Sequence, residues 1–99
     1  MDKLLRSSIE FEWDRGNREK NWAKHGISTK EPEDIFFDKR SFTTKDVKHS
    51  TIEDRFQVLG KTVKGKYLTV YFTVRSNKIR VISARPMSRK ERKQYEQTK

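Results

Sequence analysis

The clearest regularity along the chain is a strict alternation of apolar and polar side chains from Tyr67 to Val74. Because successive side chains of a β-strand point to opposite faces, this pattern predicts a strand with one apolar and one polar face. The apolar face carries Leu68, Val70, Phe72 and Val74, and the other carries Tyr67, Thr69, Tyr71 and Thr73. Residues 55–60 and 78–85 are also strand-like, and short turns at 64–65 and 75–77 join the three segments. Three successive strands with short connections predict an antiparallel meander.

The N-terminal region predicts a strand followed by a helix. Residues 9–13 alternate apolar and acidic side chains, as a half-buried strand does. Asp14 suits the N-cap of a helix that continues to about Lys24, and Gly26 suits its C-terminal stop. Trp22 is the largest apolar residue of that helix, so we expect it to anchor the helix on the sheet.

Two further helices are predicted from capping boxes, in which a serine is followed three residues later by a glutamate. The box at Ser28 opens a short helix that ends at Phe36 or Phe37. The box at Ser88 opens a helix that continues to about Gln97. The whole pattern predicts an α+β fold, with an antiparallel sheet packed against N-terminal helices and a short basic helix at the C-terminus.

Between residues 38 and 54 the chain is polar and shows little periodicity. A brief strand is compatible with residues 41–43, and the remainder is predicted to be a loop. Loops of this length inside a compact domain are uncommon and are often functional. This one carries Asp46, His49 and Glu53, so we expect it to contribute to function.

The length of 99 residues suits a single domain, with residues 1–8 as an N-terminal extension and 9–97 as the core. The chain contains no cysteine, which excludes disulfides and thiolate metal sites. No stretch is long and apolar enough to cross a bilayer, and the N-terminus lacks the apolar run of a signal peptide. We therefore expect a cytoplasmic protein with no membrane partner, no cofactor and no bound metal.

Charge is the strongest compositional signal. Lys and Arg outnumber Asp and Glu by 24 to 14, which gives a net charge of +10. Such an excess favours polyanions through counterion release and electrostatic steering, so nucleic acid is the predicted partner. An acidic protein partner is also compatible with the charge, and lysines that only keep a small domain soluble are the simplest alternative. A membrane surface is less favoured, because no basic helix has a strong apolar face.

The residue types present favour metal-independent cleavage of RNA. No P-loop, dinucleotide-binding fingerprint, zinc pattern or nucleophile elbow occurs, and only His25 and His49 supply imidazole. RNA carries its own nucleophile, the 2′-hydroxyl, so its cleavage needs a base, an acid and cations that neutralise the phosphorane. Of the two histidines, His25 precedes Gly26 and is best explained as a helix cap that interacts with exposed carbonyls.

The segment from His49 to Arg55 places three suitable residue types just before a strand. His49 suits a general base at neutral pH, although on spacing alone a solvated loop histidine is the favoured alternative. Glu53 is a second candidate for proton transfer. Arg55 can contact a phosphate with two hydrogen bonds.

Arg80 and Arg85 lie five residues apart on one predicted strand, so ideal alternation directs them to opposite faces. A bulge before Pro86 would bring them to the same face. Without it, one arginine binds phosphate and the other forms a structural ion pair. The sequence leaves both alternatives open.

The predicted last helix is basic and has almost no apolar stripe. Its cations need solvent or an anionic partner, and the candidates for RNA binding are Arg89, Lys90, Arg92 and Lys93. Tyr95 on the same helix could stack on a base, donate a proton or anchor the helix. Chemistry alone favours the anchor.

The ordered set of motifs resembles the BrnT family of type II toxins over about residues 9–96. The residues that carry the resemblance are Phe11-Glu-Trp13-Asp14, Asn21 with Lys24-His25-Gly26, His49-Ser50 with Glu53 and Arg55-Phe56, Gly60, Phe72-Thr73, Arg80 to Arg85, and Glu91-Arg92 with Tyr95. The resemblance implies a RelE-like ribonuclease fold, with helices on one face of an antiparallel sheet and RNA on the other. The segment 39–45 departs from the family pattern, because it is more basic and less apolar than the usual strand there.

The resemblance also implies an activity and a partner. It implies a metal-independent endoribonuclease that blocks translation and is neutralised by a BrnA-type ribbon-helix-helix antitoxin in a heterotetramer. The site residues that it implies are His49, Glu53, Arg55, Arg80, Arg85 and Tyr95. Two alternatives remain: a degenerate toxin that only binds its antitoxin or nucleic acid, and an RNA-binding accessory protein that acts by occupancy.

Overall fold

The computed structural model describes residues 9–46 and 53–97, and all elements named here belong to those ranges. In chain order they are β1 (Glu10–Trp13), α1 (Arg15–His25), α2 (Lys30–Ile35), β2 (Phe42–Lys45), β3 (Phe56–Lys61), β4 (Tyr67–Arg75), β5 (Lys78–Pro86) and α3 (Arg89–Gln97). The short strand predicted around residues 41–43 is present as β2. His49 lies outside the described residues. No helix within them is long and apolar enough to span a membrane.

Local capping bonds set the helix ends where the sequence predicts them. The side chain of Asp14 accepts a hydrogen bond from Asn17 N–H at 3.2 Å, and Gly26 adopts the left-handed conformation, with φ 64°, that ends α1. In α3 both bonds of the capping box form. Ser88 N–H donates to Glu91 Oε1 at 2.8 Å, and Glu91 N–H donates to Ser88 Oγ at 3.1 Å. These bonds satisfy donors that the first turn of a helix leaves without backbone partners.

Helix α2 packs closely on the sheet. Ser28 N–H donates to Glu31 at 2.9 Å, which is one of the two bonds of the predicted capping box. The N-cap is Thr29, and the helix ends at Ile35, just before the predicted end at Phe36 or Phe37. Ile35 is fully buried, and a Cβ added at Gly60 of β3 would collide with its side chain. Gly60 is therefore required by the close approach of α2 to β3.

The strands form one mixed sheet in the order β1-β5-β4-β3-β2. Neighbours from β2 to β5 are antiparallel, which confirms the predicted meander. β1 pairs with β5 in parallel, so the prediction of a purely antiparallel sheet is wrong at this edge. From β1 the chain passes through α1 and α2 and enters the sheet again at the opposite edge as β2. The meander then returns across the sheet, so that β5 pairs with β1.

One face of the sheet, covered by α1 and α2, holds the main apolar core. Val58, Val70 and Ala84 lie side by side on β3, β4 and β5 on this face, and all three are buried. Phe72 packs edge-on against Phe36, with ring centroids 4.9 Å apart. We call this surface the core face.

The apolar anchor of α1 differs from the expectation. Trp22 is 64 % exposed, whereas Asn21 is 5 % exposed and is the buried residue of the helix. Ile27, which follows the helix, supplies the apolar contact with the core instead. The prediction for Trp22 was wrong because it considered the size of the side chain and not the face of the helix on which it lies.

The opposite face of the sheet, which we call the second face, carries α3 at one end. Glu91 of α3 accepts hydrogen bonds from Gln57 Nε2 at 3.0 Å and Thr69 Oγ1 at 2.8 Å, both on the second face. Helices therefore occupy both faces, whereas the resemblance implied one. Thr69 is fully buried as a result, although it belongs to the predicted polar face.

Candidate functional site

A bulge at Ile82 brings two predicted site arginines to the same face. Pairing between β4 and β5 skips Ile82, so that Arg80 pairs with Thr73 and Arg85 pairs with Thr69. The two threonines are four residues apart on β4 and share a face, so the two arginines share it too. Both lie on the second face, as predicted for a strand with a bulge before Pro86.

Arg85 also forms the structural ion pair of the other alternative. Its Nη1 and Nη2 atoms donate to Oε1 and Oε2 of Glu91 at 2.7 and 2.8 Å. The hydrogen bond to Glu91 raises the pKa of Arg85. Burial by itself would raise the pKa of Glu91, but bonds from Arg85, Ser88 and Thr69 outweigh it and lower that pKa to about 2. Both groups therefore stay charged at neutral pH, and the pair joins α3 to β5.

Tyr71 lies between the guanidinium groups of Arg55 and Arg85. The Cζ atoms of these arginines are 5.3 and 5.7 Å from the centroid of its ring. The hydroxyl oxygen of Tyr71 accepts hydrogen bonds from Arg85 Nη2 and Gln57 Nε2, both at 3.1 Å. Tyr71 thus gathers two cations on the second face through cation–π contacts and a hydrogen bond. Sequence analysis did not select it, because nothing distinguishes it there from any strand tyrosine.

Arg55 and Arg80 have looser carboxylate neighbours than Arg85. Arg55 Nε lies 3.7 Å from Asp46 Oδ2, and Arg80 Nη2 lies 4.0 Å from Asp14 Oδ2. Both separations exceed the usual N–H···O hydrogen-bond length. A phosphate therefore competes more easily with the contact between Arg80 and Asp14 than with the short bidentate pair of Arg85.

Glu53 lies on the surface just before β3. Its Oε1 accepts a hydrogen bond from Arg75 Nη2 at 3.0 Å. The adjacent Asp54 carbonyl accepts a bond from Thr73 Oγ1 at 2.8 Å, which holds this segment against β4. His49 is not among the described residues, so the proton-transfer roles of His49 and Glu53 stay predictions.

Tyr95 is the buried residue of α3 and lies near the C-terminal end of the helix. Its hydroxyl donates to Asp38 Oδ2 at 2.7 Å, and its ring meets Tyr67 edge-on at a centroid distance of 5.8 Å. Burial, together with the bond to Asp38, raises the pKa of Tyr95. These contacts join α3 to the segment after α2. Of the three roles considered for Tyr95, they are those expected of a helix anchor.

The predicted RNA-binding cations of α3 are exposed beside the second face. They are Arg89, Lys90, Arg92 and Lys93. The guanidinium of Arg92 covers the ring of Tyr67, with its Cζ 4.0 Å from the centroid. All four present positive charge to solvent.

A basic cleft separates α1 from the outer edge of β5. β1 pairs with Lys78–Val81 only, and α1 lies along the following part of β5, where Asn21 Oδ1 accepts a bond from Ala84 N–H at 3.4 Å. The cleft has a volume of about 320 Å³. Its charged and imidazole side chains are Lys20, Lys24, His25, Arg55 and Arg85, and no carboxylate of the described residues lines it. We call it the α1–β5 cleft.

Sequence analysis missed the α1 side of this cleft. The signal for it is the spacing of Asn17, Lys20, Asn21 and Lys24, which follows i, i+3, i+4 and i+7. Such spacing marks one face of a helix, and the face turned to a sheet is normally apolar. Here the stripe is polar and basic. Only the position of α1 relative to β5 shows that it lines a cleft.

The described ranges contain no group of three or more His, Asp or Glu side chains placed to hold a metal ion.

Comparisons with known proteins agree with one another. A family model described as ribonuclease toxin, BrnT, of type II toxin–antitoxin system matches residues 13–91. The fold is similar to the crystal structure of the Brucella abortus ribonuclease toxin BrnT, with a TM-score of 0.62 and 24 % sequence identity, over 83 % of this chain and 100 % of that one. No curated protein sequence matches the chain.

Proposed function

The chain belongs to the BrnT family, the ribonuclease toxins of type II toxin–antitoxin systems, and from this membership we propose that it is a metal-independent RNA endonuclease that inhibits translation. One observation carries the proposal. Arg55, Arg80 and Arg85 share the second face, which adjoins a cleft lined by cations and by no described carboxylate. Such a surface suits the growing negative charge of a phosphorane.

In the proposed reaction the 2′-hydroxyl of the RNA is the nucleophile. A base accepts its proton while the 2′ oxygen bonds to phosphorus, and an acid protonates the departing 5′ oxygen. The products are a 2′,3′-cyclic phosphate and a free 5′-hydroxyl. His49 and Glu53 are the proposed proton-transfer groups, because their side chains suit the chemistry and Glu53 lies just before Arg55 on the chain.

The three arginines have different proposed roles. Arg55 and Arg80 contact the scissile phosphate, since Arg80 lies 4.0 Å from its carboxylate neighbour Asp14 and Arg55 lies on the second face over Tyr71. Arg85 positions Tyr71 and α3 through its short bonds and adds its field to the site. Tyr95 acts through α3, which it holds in place.

RNA on the second face would continue along α3. The four exposed cations of that helix, Arg89, Lys90, Arg92 and Lys93, are proposed to contact the RNA backbone. We propose that the chain acts as a RelE-like toxin, with RNA on the sheet face opposite the N-terminal helices. The presence of α3 on that face limits the RNA to the part of the sheet near Tyr71.

A toxin of this class requires an antitoxin, and we propose a BrnA-type ribbon-helix-helix protein that forms a heterotetramer with the chain. The net charge of +10 favours an acidic segment of that partner over the basic surface. Co-expression with the neighbouring reading frame, followed by size exclusion at low and high salt, should give one co-eluting species. Separate elution at both salt concentrations would contradict the pairing.

The activity is tested with purified, antitoxin-free protein and a defined RNA. Cleavage should persist in EDTA and should leave cyclic or 3′-phosphate ends. A single 2′-deoxy substitution at the attacked nucleotide should abolish that cut and leave binding intact. If the protein binds RNA but does not cut it, either with or without ribosomes, the proposed endonuclease activity is contradicted.

A non-catalytic binding module is the second candidate, and one observation favours it. The charge of Arg85 is already balanced by Glu91 at hydrogen-bond distance, as expected for a structural arginine. In that case the basic surface binds RNA or antitoxin without chemistry. The cleavage assay separates the two candidates.

A further inference from the structure

Helix α1 turns a polar stripe towards the sheet. The face next to β5 carries Asn17, Lys20, Asn21 and Lys24, while the apolar Trp22 points to solvent with 64 % of its surface exposed. Burial of Trp22 would have contributed favourable free energy, whereas lysines beside a sheet edge contribute little by packing. A helix oriented in this way gives up apolar burial and lines a cleft with cations.

The floor of the cleft contains a donor without an acceptor. Asn21 is 5 % exposed, and its Oδ1 accepts the bond from Ala84 N–H. Its Nδ2 is buried and has no hydrogen-bond partner among the described residues. A buried amide N–H without an acceptor costs free energy, so a small turn of the Asn21 side chain towards an acceptor atom in the cleft would be favourable.

The charge of the cleft selects the class of occupant. Its lining combines two lysines of α1 with Arg55, which precedes β3, and Arg85 of β5, together with His25 and Ser83. No described carboxylate lines the cleft, but Glu91 pairs with Arg85 at 2.7 Å and Asp46 lies 3.7 Å from Arg55. The positive charge that these carboxylates leave in the cleft is therefore that of Lys20 and Lys24. Cations of this kind bind an anion with several acceptor oxygens, and a phosphate group is such an anion.

We propose that the α1–β5 cleft binds a second phosphate of the RNA, next to the phosphate that is cut. Lys20 and Lys24 pair with its charge, and the Asn21 amide turns towards the cleft to donate a hydrogen bond to an oxygen of the RNA. The inference rests on the proposed function, because it takes RNA to be the ligand. It adds a binding site on α1 to the surface formed by the sheet and α3.

The position of two arginines makes this path continuous. Arg55 and Arg85 line the cleft and also flank Tyr71 on the second face. An RNA strand that contacts Arg55 at the scissile phosphate is therefore already next to the cleft, which Arg55 also lines. The cleft lengthens the footprint of the RNA and does not change the chemistry of cleavage.

The experiment compares substrates of different length. The double variant Lys20→Ala/Lys24→Ala is assayed on a dinucleotide, which has one phosphate, and on an oligonucleotide of the same cleavage sequence. The control Arg18→Ala/Lys64→Ala removes the same charge from exposed positions outside the cleft. Lys20→Arg/Lys24→Arg tests whether positive charge restores function, and thermal unfolding shows that each variant is folded.

In the variant Lys20→Ala/Lys24→Ala, we expect kcat/KM to fall about tenfold more on the oligonucleotide than on the dinucleotide. The arginine variant should stay close to wild type on both substrates. Equal losses on both substrates, or a loss no larger than that of the control, would overturn the proposal. If the wild type cuts no RNA, the proposed function fails, and binding of a 2′-deoxy oligonucleotide still tests the cleft. The slope of the logarithm of the binding constant against the logarithm of salt concentration should then be about 0.7 smaller in Lys20→Ala/Lys24→Ala than in wild type, because one phosphate contact is lost. An unchanged slope contradicts the cleft site.

Discussion

Glu91 and Arg85 are joined by two parallel hydrogen bonds of 2.7 and 2.8 Å, although one lies on a helix and the other on a strand. The same carboxylate accepts the N–H of Ser88 and completes the capping box of α3. One side chain therefore both starts the helix and attaches it to the sheet. Loss of this carboxylate should therefore lower the stability of the folded chain, in addition to changing the surface charge.

We expect Glu91→Gln to destabilise the folded chain by about 2 kcal/mol, because a charged network loses its acceptor and Arg85 loses its counter-charge. Urea unfolding of the variant and of wild type measures the change. Glu96→Gln is the matched control, since Glu96 is exposed on the same helix. Equal stabilities of the Glu91 variant and the control would contradict the role assigned to the pair.

The stability of the protein should decrease at acid pH. The pKa of Glu91 is lowered from 4.5 to about 2, so the unfolded chain takes up a proton more readily than the folded chain does. The stabilisation is therefore complete above about pH 4.5 and is lost as the pH falls towards about 2. Urea unfolding between pH 2 and 7 should show this decrease, and Glu91→Gln should make it shallower. Glu31, whose pKa is also lowered, contributes in the same direction and should account for part of the slope that remains.

Tyr95→Phe should lower stability and leave the cleavage rate of the folded fraction close to wild type. The variant loses the hydroxyl bond to Asp38, a loss of about 1 kcal/mol. The raised pKa of Tyr95 means that its stabilisation is present below about pH 10 and declines as the pH rises further. Alkaline unfolding curves of wild type should show this decline, and those of the variant should lack it. A large fall in kcat with unchanged stability would instead make Tyr95 a catalytic group.

Arg80→Ala should lower kcat about a hundredfold with little change in stability, because one donor to the phosphorane is removed while the contact with Asp14 is long. Arg85→Ala should lower stability as well, since it leaves Glu91 without its partner. Steady-state kinetics and urea unfolding of both variants separate the two roles. The roles are reversed if Arg80→Ala unfolds the protein and Arg85→Ala does not.

His49→Ala and Glu53→Gln should each flatten one limb of the pH–rate profile, if these groups transfer the protons. Glu53→Gln retains the shape of the side chain and removes its charge, including that of the ion pair with Arg75. Arg75→Ala is therefore the control for loss of the ion pair alone. Profiles that keep both limbs in the two proton-transfer variants would assign the chemistry to other residues.

Much of this protein was determined by its sequence through short-range effects. The capping bonds of Asp14, Ser28 and Ser88 join residues three apart, and such bonds form wherever the helix forms. The alternation from Tyr67 to Val74 determined a strand, because a period of two fits no helix. The family could also be recognised, because its motifs are short and their order survives in the chain.

Tertiary structure alone decided how these elements meet. A pattern with a period of two is the same in both strand directions. The parallel pairing of β1 with β5 therefore depends on the path of the chain, which crosses to β2 at the opposite edge and returns through β3 and β4. The bulge at Ile82 is a property of the paired strands, and it places Arg85 on the face of Arg80. The α1–β5 cleft likewise unites Lys20 with Arg55 and Arg85, which are distant along the chain. Contacts of this kind form through packing between elements, and no local pattern of residues encodes them.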